Sequence, residues 1–336
     1  MTATTMETIA ALTDEGSWEL HRDGLRTADP LGFPGYAEAL TKAQNGTGSD
    51  ESVICGAATV ARYPIELALF DFGFFGGSMG EIAGERLALA MERAAARGVP
   101  FVLRTATGGA RMQEGMRSLI QMPKVVSARL GLAEAHQPFI AILGNPTTGG
   151  VLASLAGLAD ITIAEAGATV GFAGPRVAER AMGKPLSDVS HRAETAMSAG
   201  LVDDVLDPSE VREQLATILM TIAPDQPRDV EVPGAADGMR DLDPWSLVEA
   251  ARSPDRTLNH ELVLEASDAF IPLRGDRCGS DDPALDTALV RVAGRRAVLL
   301  ALDRERSPGP SAYRKAKRVL RIAERLNIPV VTLIDT

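Results

Sequence analysis

Residues 100–115 read PFVLRTATGGARMQEG: an apolar segment, two adjacent glycines, then a Met- and Gln-containing stretch of helical character. Paired glycines let the backbone turn sharply and expose consecutive N–H groups, and a helix starting there adds the positive end of its dipole. Such a corner can hold an oxyanion where charge develops on a carbonyl, and Gly108 and Gly109 are the expected donors. The alternative is that they only end a strand with positive φ. A second pair, Gly149 and Gly150 in PTTGG, precedes the small-residue run VLASLAGLA, where glycine serves either to line the site or to permit close helix packing. A third loop, FGFFGGSMGE, sets Gly76, Gly77, Ser78 and Gly80 ahead of a helix whose start can receive an anion. It lacks the Lys-Ser/Thr ending of a P-loop, so no nucleoside triphosphate site is indicated.

Around these corners, Ala110 belongs to the first turn, Arg111 and Gln113 are placed to order it, and Met112 and Met116 read as core. Arg176 follows a Gly-Pro turn in GFAGPRV, where it either meets an anion or locks the turn. Arg314 and Lys315 in YRKA are candidate phosphate contacts, against the alternative of a solvated helix face. His21, His136, His191 and His260 share no spacing that suggests a metal site or a triad and are read as structural or surface residues. Cys55 and Cys278 stand far apart without a CxxC companion, which excludes a zinc ribbon and argues against a disulfide framework.

The elements that must position the corners alternate regularly. Val53–Val60 and Ile65–Phe70 read as a strand pair ending at Asp71. Glu81–Arg97 has apolar residues at helical spacing and closes at Gly98, and a strand follows over Val99–Arg104. Next come a helix to about Gly131 with Pro123 inside it, a strand PFIAILGN, a helix Val151–Leu158 and a strand DITIAEAGATVGF. The plan is strand, Gly-rich turn, helix, repeated. About 25 residues at the start carry no clear pattern and read as poorly tied down.

Composition limits the possible partners. With 336 residues and 45% hydrophobic content, the chain can bury a large core and has the length of two domains. A net charge of −11, without a Lys/Arg run, argues against nucleic acid and anionic membranes. The N-terminus has acidic residues where a signal peptide would be basic, and the apolar runs are too short to span a bilayer, so a cytoplasmic location is expected.

The chain also repeats itself. ALVRVAGRRAVLLALD, ending at Asp303, has the plan of VICGAATVARYPIELALFD, ending at Asp71, and AERLNIPVVTLIDT mirrors ERAAARGVPFVLRTATGG. Setting Pro100 against Pro329 places Thr107 on Thr336. Duplication of a domain is the reading, since solenoid periods are shorter. The expected organisation is an N-terminal extension at 1–28, a first domain at 29–222, a proline-containing linker at 223–242 and a partial second domain at 243–336.

These strings resemble the carboxyltransferase component of acetyl-CoA and related acyl-CoA carboxylases, within the crotonase-like superfamily. DFGFFGGSMGE, TGGARMQEG, NPTTGGVLASLAGLADITIAEAGATVGFAGPRV and SAGLVDDV resemble the beta subunit. DPWSLVEAARSPDRTLNH, RGDRCGSDDPAL and YRKAKRVLRIAERLNIPVVTLIDT resemble the front of the alpha subunit. The family's four-cysteine ribbon is absent, so no metal is expected. RERSPGPSA is shorter than the family's charged insertion, and the family's Pro-Gly-Ala turn and later glycine-rich turn are not found.

The resemblance implies an α/β crotonase-like (ClpP/crotonase) spiral of ββα units in two related domains. It implies transfer of a carboxylate from carboxybiotin, held on a carrier protein, to acetyl-CoA or a related acyl-CoA, giving malonyl-CoA. Backbone N–H groups would hold the enolate, and the cofactor would supply the base. Gly76, Gly77, Ser78, Gly80, Ala110, Arg111, Gly149, Gly150, Arg176 and Lys315 are the expected acyl-CoA contacts. Expected partners are a biotin carboxyl carrier protein, a biotin carboxylase and further copies of the chain, with sites between protomers and with the alpha-like half incomplete. A biotin-independent malonyl-thioester decarboxylase and a non-catalytic CoA-binding or assembly subunit are the alternatives.

Overall fold

The computed structural model describes residues 5–187, 189–229, 243–253, 255–257 and 259–335. The N-terminal residues are held more firmly than the sequence suggests. Helix α1 (Thr5–Leu12) sends Ile9 and Leu12 into the core, and strand β1 (Glu19–Leu20) pairs antiparallel with β2 (Val53–Val60). Helix α2 (Tyr36–Thr47) buries Tyr36.

Strands β2 and β3 (Tyr63–Phe70) form a hairpin whose turn residues, Ala61 and Arg62, have φ of 47° and 71°. Positive φ at both positions matches the twist of the strands, a conformation glycine or asparagine adopts more readily. Here Asp14 supports it by accepting the Ala61 and Arg62 amides at 2.9 and 2.8 Å.

From β3 the chain runs through helical crossovers into parallel strands. Helix α3 (Glu81–Arg97) leads to β4 (Phe101–Thr107), and α4 (Met116–Glu134) leads to β5 (Phe139–Thr148). Then follow α5 (Gly149–Ser154), β6 (Ile161–Glu165), β7 (Val170–Gly171), α6 (Pro175–Met182), α7 (Ala193–Ser198), β8 (Asp204–Leu206) and α8 (Val211–Ile222). The sheet order is β1-β2-β3-β4-β5-β6-β8, with β7 beside β5. The single strand expected over DITIAEAGATVGF is thus two, because a turn at Gly167, φ 72°, redirects the chain. Pro123 stays inside α4, which ends at Glu134.

The second unit repeats the hairpin. Helices α9 (Pro244–Ala251) and α10 (Asn259–Ala266) precede β9 (Ala269–Pro272), β10 (Leu285–Val292), β11 (Arg295–Leu302), α11 (Pro310–Leu326) and β12 (Val330–Leu333). The sheet order is β12-β11-β10-β9. The β10–β11 turn, Ala293-Gly294, has φ of 48° and 75°, the conformation of Ala61-Arg62. Of the expected linker, residues 223–229 run to this turn, where Gln226 and Arg228 donate to Gly294 and Ala293 carbonyls. Residues 230–242 lie outside the described residues.

Side chains alternate across the larger sheet, as strand geometry requires. Phe101, Leu103, Phe139 and Leu143 join the core under α3 and α4, whereas Leu67, Val102, Ile140 and Ile161 join the one shared with α8 and the second sheet. Charge also fixes that junction. Buried Asp160 accepts Arg129 of α4 at 2.8 Å and Arg325 of α11 at 2.6 Å. Buried Asp203 accepts Arg318 at 2.9 Å and also Arg277. Removing a buried carboxylate leaves its arginines without a partner, so Asp160→Ala is expected to lower stability by about 3–5 kcal/mol. Urea unfolding of the variant against the parent measures this, and a loss under about 1 kcal/mol would show that the pair is not what fixes the junction.

Candidate active site

The parallel register that sets Thr107 opposite Thr147 brings the ends of β4 and β5 together, so the two Gly-Gly corners abut. A Cβ on Gly149 would stand 2.8 Å from the Gly109 Cα, and Gly109 and Gly149 have φ of 111° and 73°. Both close approach and left-handed backbone therefore demand glycine here.

Accounting for each amide changes the expected donors. Gly108 donates to the Gly76 carbonyl at 2.9 Å, and Gly109 donates to Thr107 Oγ1 at 3.0 Å. Gly149 donates to the Phe172 carbonyl at 2.9 Å. The expectation that Gly108 and Gly109 are the oxyanion donors is therefore corrected, because their N–H groups close the turn. Ala110 and Gly150, one residue beyond Gly109 and Gly149, have amides without an acceptor among the described residues. At Ala110 the reason is local. Met79 donates to the Gly109 carbonyl and accepts from the Arg111 amide in a one-residue parallel bridge, which turns the Ala110 N–H to the other side.

Arg111 sits directly under this corner and is fully buried. Its guanidinium pairs with Glu51 and Glu114, donates to the Ser78 carbonyl at 2.8 Å and to Ser52 Oγ at 3.1 Å, and lies over the Phe74 and Phe75 rings. Glu114 also accepts the Tyr36 hydroxyl at 2.7 Å and the Glu81 amide at the start of α3 at 2.5 Å. Burial opposes ionisation of Glu51, but Arg111, the Thr27 hydroxyl and the Ser52 amide outweigh it and hold the carboxyl below its ordinary range. For Tyr36 burial dominates and pushes the phenol up. Arg111 thus orders the corner, and its expected contact with substrate is corrected: nothing of it is exposed.

The glycine-rich loop serves the same purpose. Gly76 and Gly77 both have φ of 62°, and Gly76 supplies the carbonyl that holds Gly108. A Cβ on Gly77 would collide with the Ala106 carbonyl, and one on Gly80 would stand 2.5 Å from Glu114 Oε1. Gly77 and Gly80 are buried, which corrects their expected contact with substrate, whereas Gly76 and Ser78 are half-buried.

Lys315 is a further correction. It is buried, donates to the Leu285 carbonyl at 2.7 Å and pairs with Asp281 at 2.6 Å, so it is neither a phosphate contact nor part of a solvated face. Arg314 pairs with Asp276 at 2.7 Å. Arg176 is exposed on the first turn of α6. Met112 and Met116, expected in the core, are 84% and 66% exposed, and with Leu119 and Ile120 they make an apolar rim beside the corner. Sequence reasoning missed Tyr36, Glu51 and Glu114; only Glu114, inside ARMQEG, stood within a motif it had singled out.

A mixed sheet whose parallel strands β4 and β5 run into paired glycines, with helical crossovers between them, is α/β of the crotonase-like type. The match to the transcarboxylase 12S core with methylmalonyl-coenzyme A bound supports this fold, with a TM-score of 0.78 at 24% identity over 99% of this chain and 63% of that one. Residues 25–197 match the carboxyl transferase domain model, and 234–336 match the acetyl co-enzyme A carboxylase carboxyltransferase-like model. The chain belongs to the carboxyl transferase domain family.

Among its relatives, the acetyl-coenzyme A carboxylase carboxyl transferase subunits beta/alpha of Salinispora arenicola is 40% identical over 98% of this chain, which spans 62% of that relative's length. The beta subunit of Desulforamulus reducens is 43% identical over 63% of this chain and 74% of its own length. A Pseudomonas malonate decarboxylase hetero-tetramer in complex with malonate matches at 27% identity and a TM-score of 0.54, over 72% of this chain and 91% of that one.

Because the Glu51 carboxyl lies below its ordinary value of 4.5 in the folded protein, its contribution to stability is present above that pH and lost as pH falls through the folded value. Glu51→Gln should be less stable than the parent at neutral pH, and the difference should shrink below about pH 4. Urea midpoints between pH 3 and 7 test this; parallel curves would remove Glu51 as the acid-sensitive group.

Proposed function

We propose that this chain provides the acyl-CoA side of a biotin-dependent acyl-CoA carboxyltransferase, with acetyl-CoA or a related acyl-CoA as acceptor and malonyl-CoA or its homologue as product. One observation carries the reading: in a chain of this family, the unclaimed Ala110 and Gly150 amides lie on abutting corners. Two preorganised donors suit a thioester oxygen that gains charge as the α-carbon loses its proton.

The donor set also fits the cofactor. Glu51 and Glu114 are both bound to Arg111, so neither carboxylate is free to act as a base, and the corner offers backbone hydrogen-bond donors. Biotin, when bound, brings the carboxyl group and the nitrogen that takes the α-proton. The protein's own part is to orient the thioester and hold the charge on its oxygen. The partners of this reading are a biotinyl carrier protein, a biotin carboxylase and a second copy of the chain, whose docking the exposed apolar rim of Met112, Met116, Leu119 and Ile120 favours.

A second reading, decarboxylation of a malonyl thioester without biotin, draws on the likeness to malonate decarboxylase. Both readings use the same enolate donors. Carboxyl transfer from malonyl-CoA to free biotin, assayed with the full-length natural protein, favours the first; biotin-independent release of carbon dioxide favours the second.

Gly149→Ala places a Cβ 2.8 Å from the Gly109 Cα at a φ of 73° and pushes the corners apart. Its kcat should fall about 10²–10³-fold. Gly150→Ala meets only the Met122 thioether, which can move, and should cost less than about tenfold. Equal effects of the two substitutions on kcat would reject the placement of the donors.

A further inference from the structure

We propose that His191 is a positioning residue for the Gly149–Gly150 corner, acting through β7; the proposal rests on the reading of that corner as an oxyanion site. Strand β7 has two residues, yet its surroundings fix the corner. Thr147 donates to the Thr169 carbonyl at 2.8 Å and Gly149 donates to the Phe172 carbonyl at 2.9 Å, on either side of β7. The second bond occupies the Gly149 amide and leaves Gly150 as the outward donor.

A two-residue strand needs support from its other side. That support is the returning segment: Val170 donates to the His191 carbonyl at 2.7 Å, Ala193 donates to the Ala168 carbonyl at 2.9 Å, and Thr169 bridges Arg192. Between Phe172 and Ser190 the chain makes an excursion that carries α6, a helix without a buried residue. This excursion therefore leaves and returns at the place where Gly149 is held.

The imidazole closes that place. A Cβ on Gly171 would collide with His191 Cδ2 and stand 3.2 Å from Nε2, so the ring lies against the Gly171 backbone. Gly171 is outside the left-handed region, and its lack of a side chain answers to the ring and not to its own conformation. Ser190 Oγ meets Nδ1 at 2.7 Å and sets the rotation of the ring. His191 itself has a φ of 62°, where glycine would be less strained, and the side chain it carries there holds β7.

The test uses the full-length protein with His191→Ala, His191→Gln, Gly171→Ala and the Gly171→Ala/His191→Ala double variant. Amide exchange over 147–150 and 169–173 is read beside kcat and KM for acyl-CoA. His191→Ala should lower kcat about tenfold or more with KM within about twofold, and should speed exchange at Gly149. His191→Gln, whose planar amide can rest on Gly171 and reach Ser190, should recover most of the loss. Gly171→Ala should resemble His191→Ala, and the double variant should be no worse than the poorer single one.

Unchanged kcat in His191→Ala would overturn the proposal. So would equal losses in the alanine and glutamine variants that track a fall in Tm. If the parent turns over no acyl thioester, the functional reading fails separately, and exchange alone decides: unaltered protection of Gly149 in His191→Ala rejects the role of His191.

Discussion

A guanidinium sealed from water beneath the glycine corner is the constraint on which the rest depends. Arginine keeps its proton under all ordinary conditions, so burying one obliges the fold to surround it with acceptors. Arg111 recruits them from segments far apart in sequence: Glu51 before β2, the Ser78 carbonyl in the glycine-rich loop, and Glu114 just past the corner. Each carboxylate in turn ties down something else. Glu114 holds the first amide of α3 and the Tyr36 hydroxyl of α2, and Glu51 holds Thr27 and the Ser52 amide. The loop that presents the Gly76 carbonyl and the turn that needs it for Gly108 are thereby fixed to one scaffold. A corner built from glycine has no stiffness of its own; its rigidity is borrowed from this buried charge.

Much of the architecture was legible before any coordinates, because hydrophobic alternation and helix closure are local signals. The β2–β3 hairpin, the helix from Glu81 that closes at Gly98, and the second copy of the hairpin could all be read from residue types. What could not be read depended on contacts distant in sequence. Helix α1 looks unremarkable alone and is ordered by packing Ile9 and Leu12 under the sheet. Lys315 has the pattern of a solvated or phosphate-binding residue, and only the approach of Asp281 and the Leu285 carbonyl takes it inside.

The site shows the same division. Glycine pairs mark where a backbone can offer its amides, and the two pairs do abut in the fold. Which amides remain free depends on acceptors that a motif does not display. The Thr107 hydroxyl, the Gly76 carbonyl and the Phe172 carbonyl each take one donor, and the unclaimed pair shifts by a single residue. A one-residue shift reverses the direction of an amide, so the difference is chemical and not a matter of boundaries.

The charges at the junction have a consequence for assembly. The first unit offers Asp160, Asp203 and Asp204, while the second brings Arg274, Arg277, Arg318 and Arg325 to meet them. The two units carry similar hairpins, β2–β3 and β10–β11, and could mistake a like copy for the proper neighbour. Unlike signs forbid that error: two first units would set acid against acid, and two second units would set arginine against arginine. Similar hairpins alone would leave the halves interchangeable, and this polarity makes each the complement of the other.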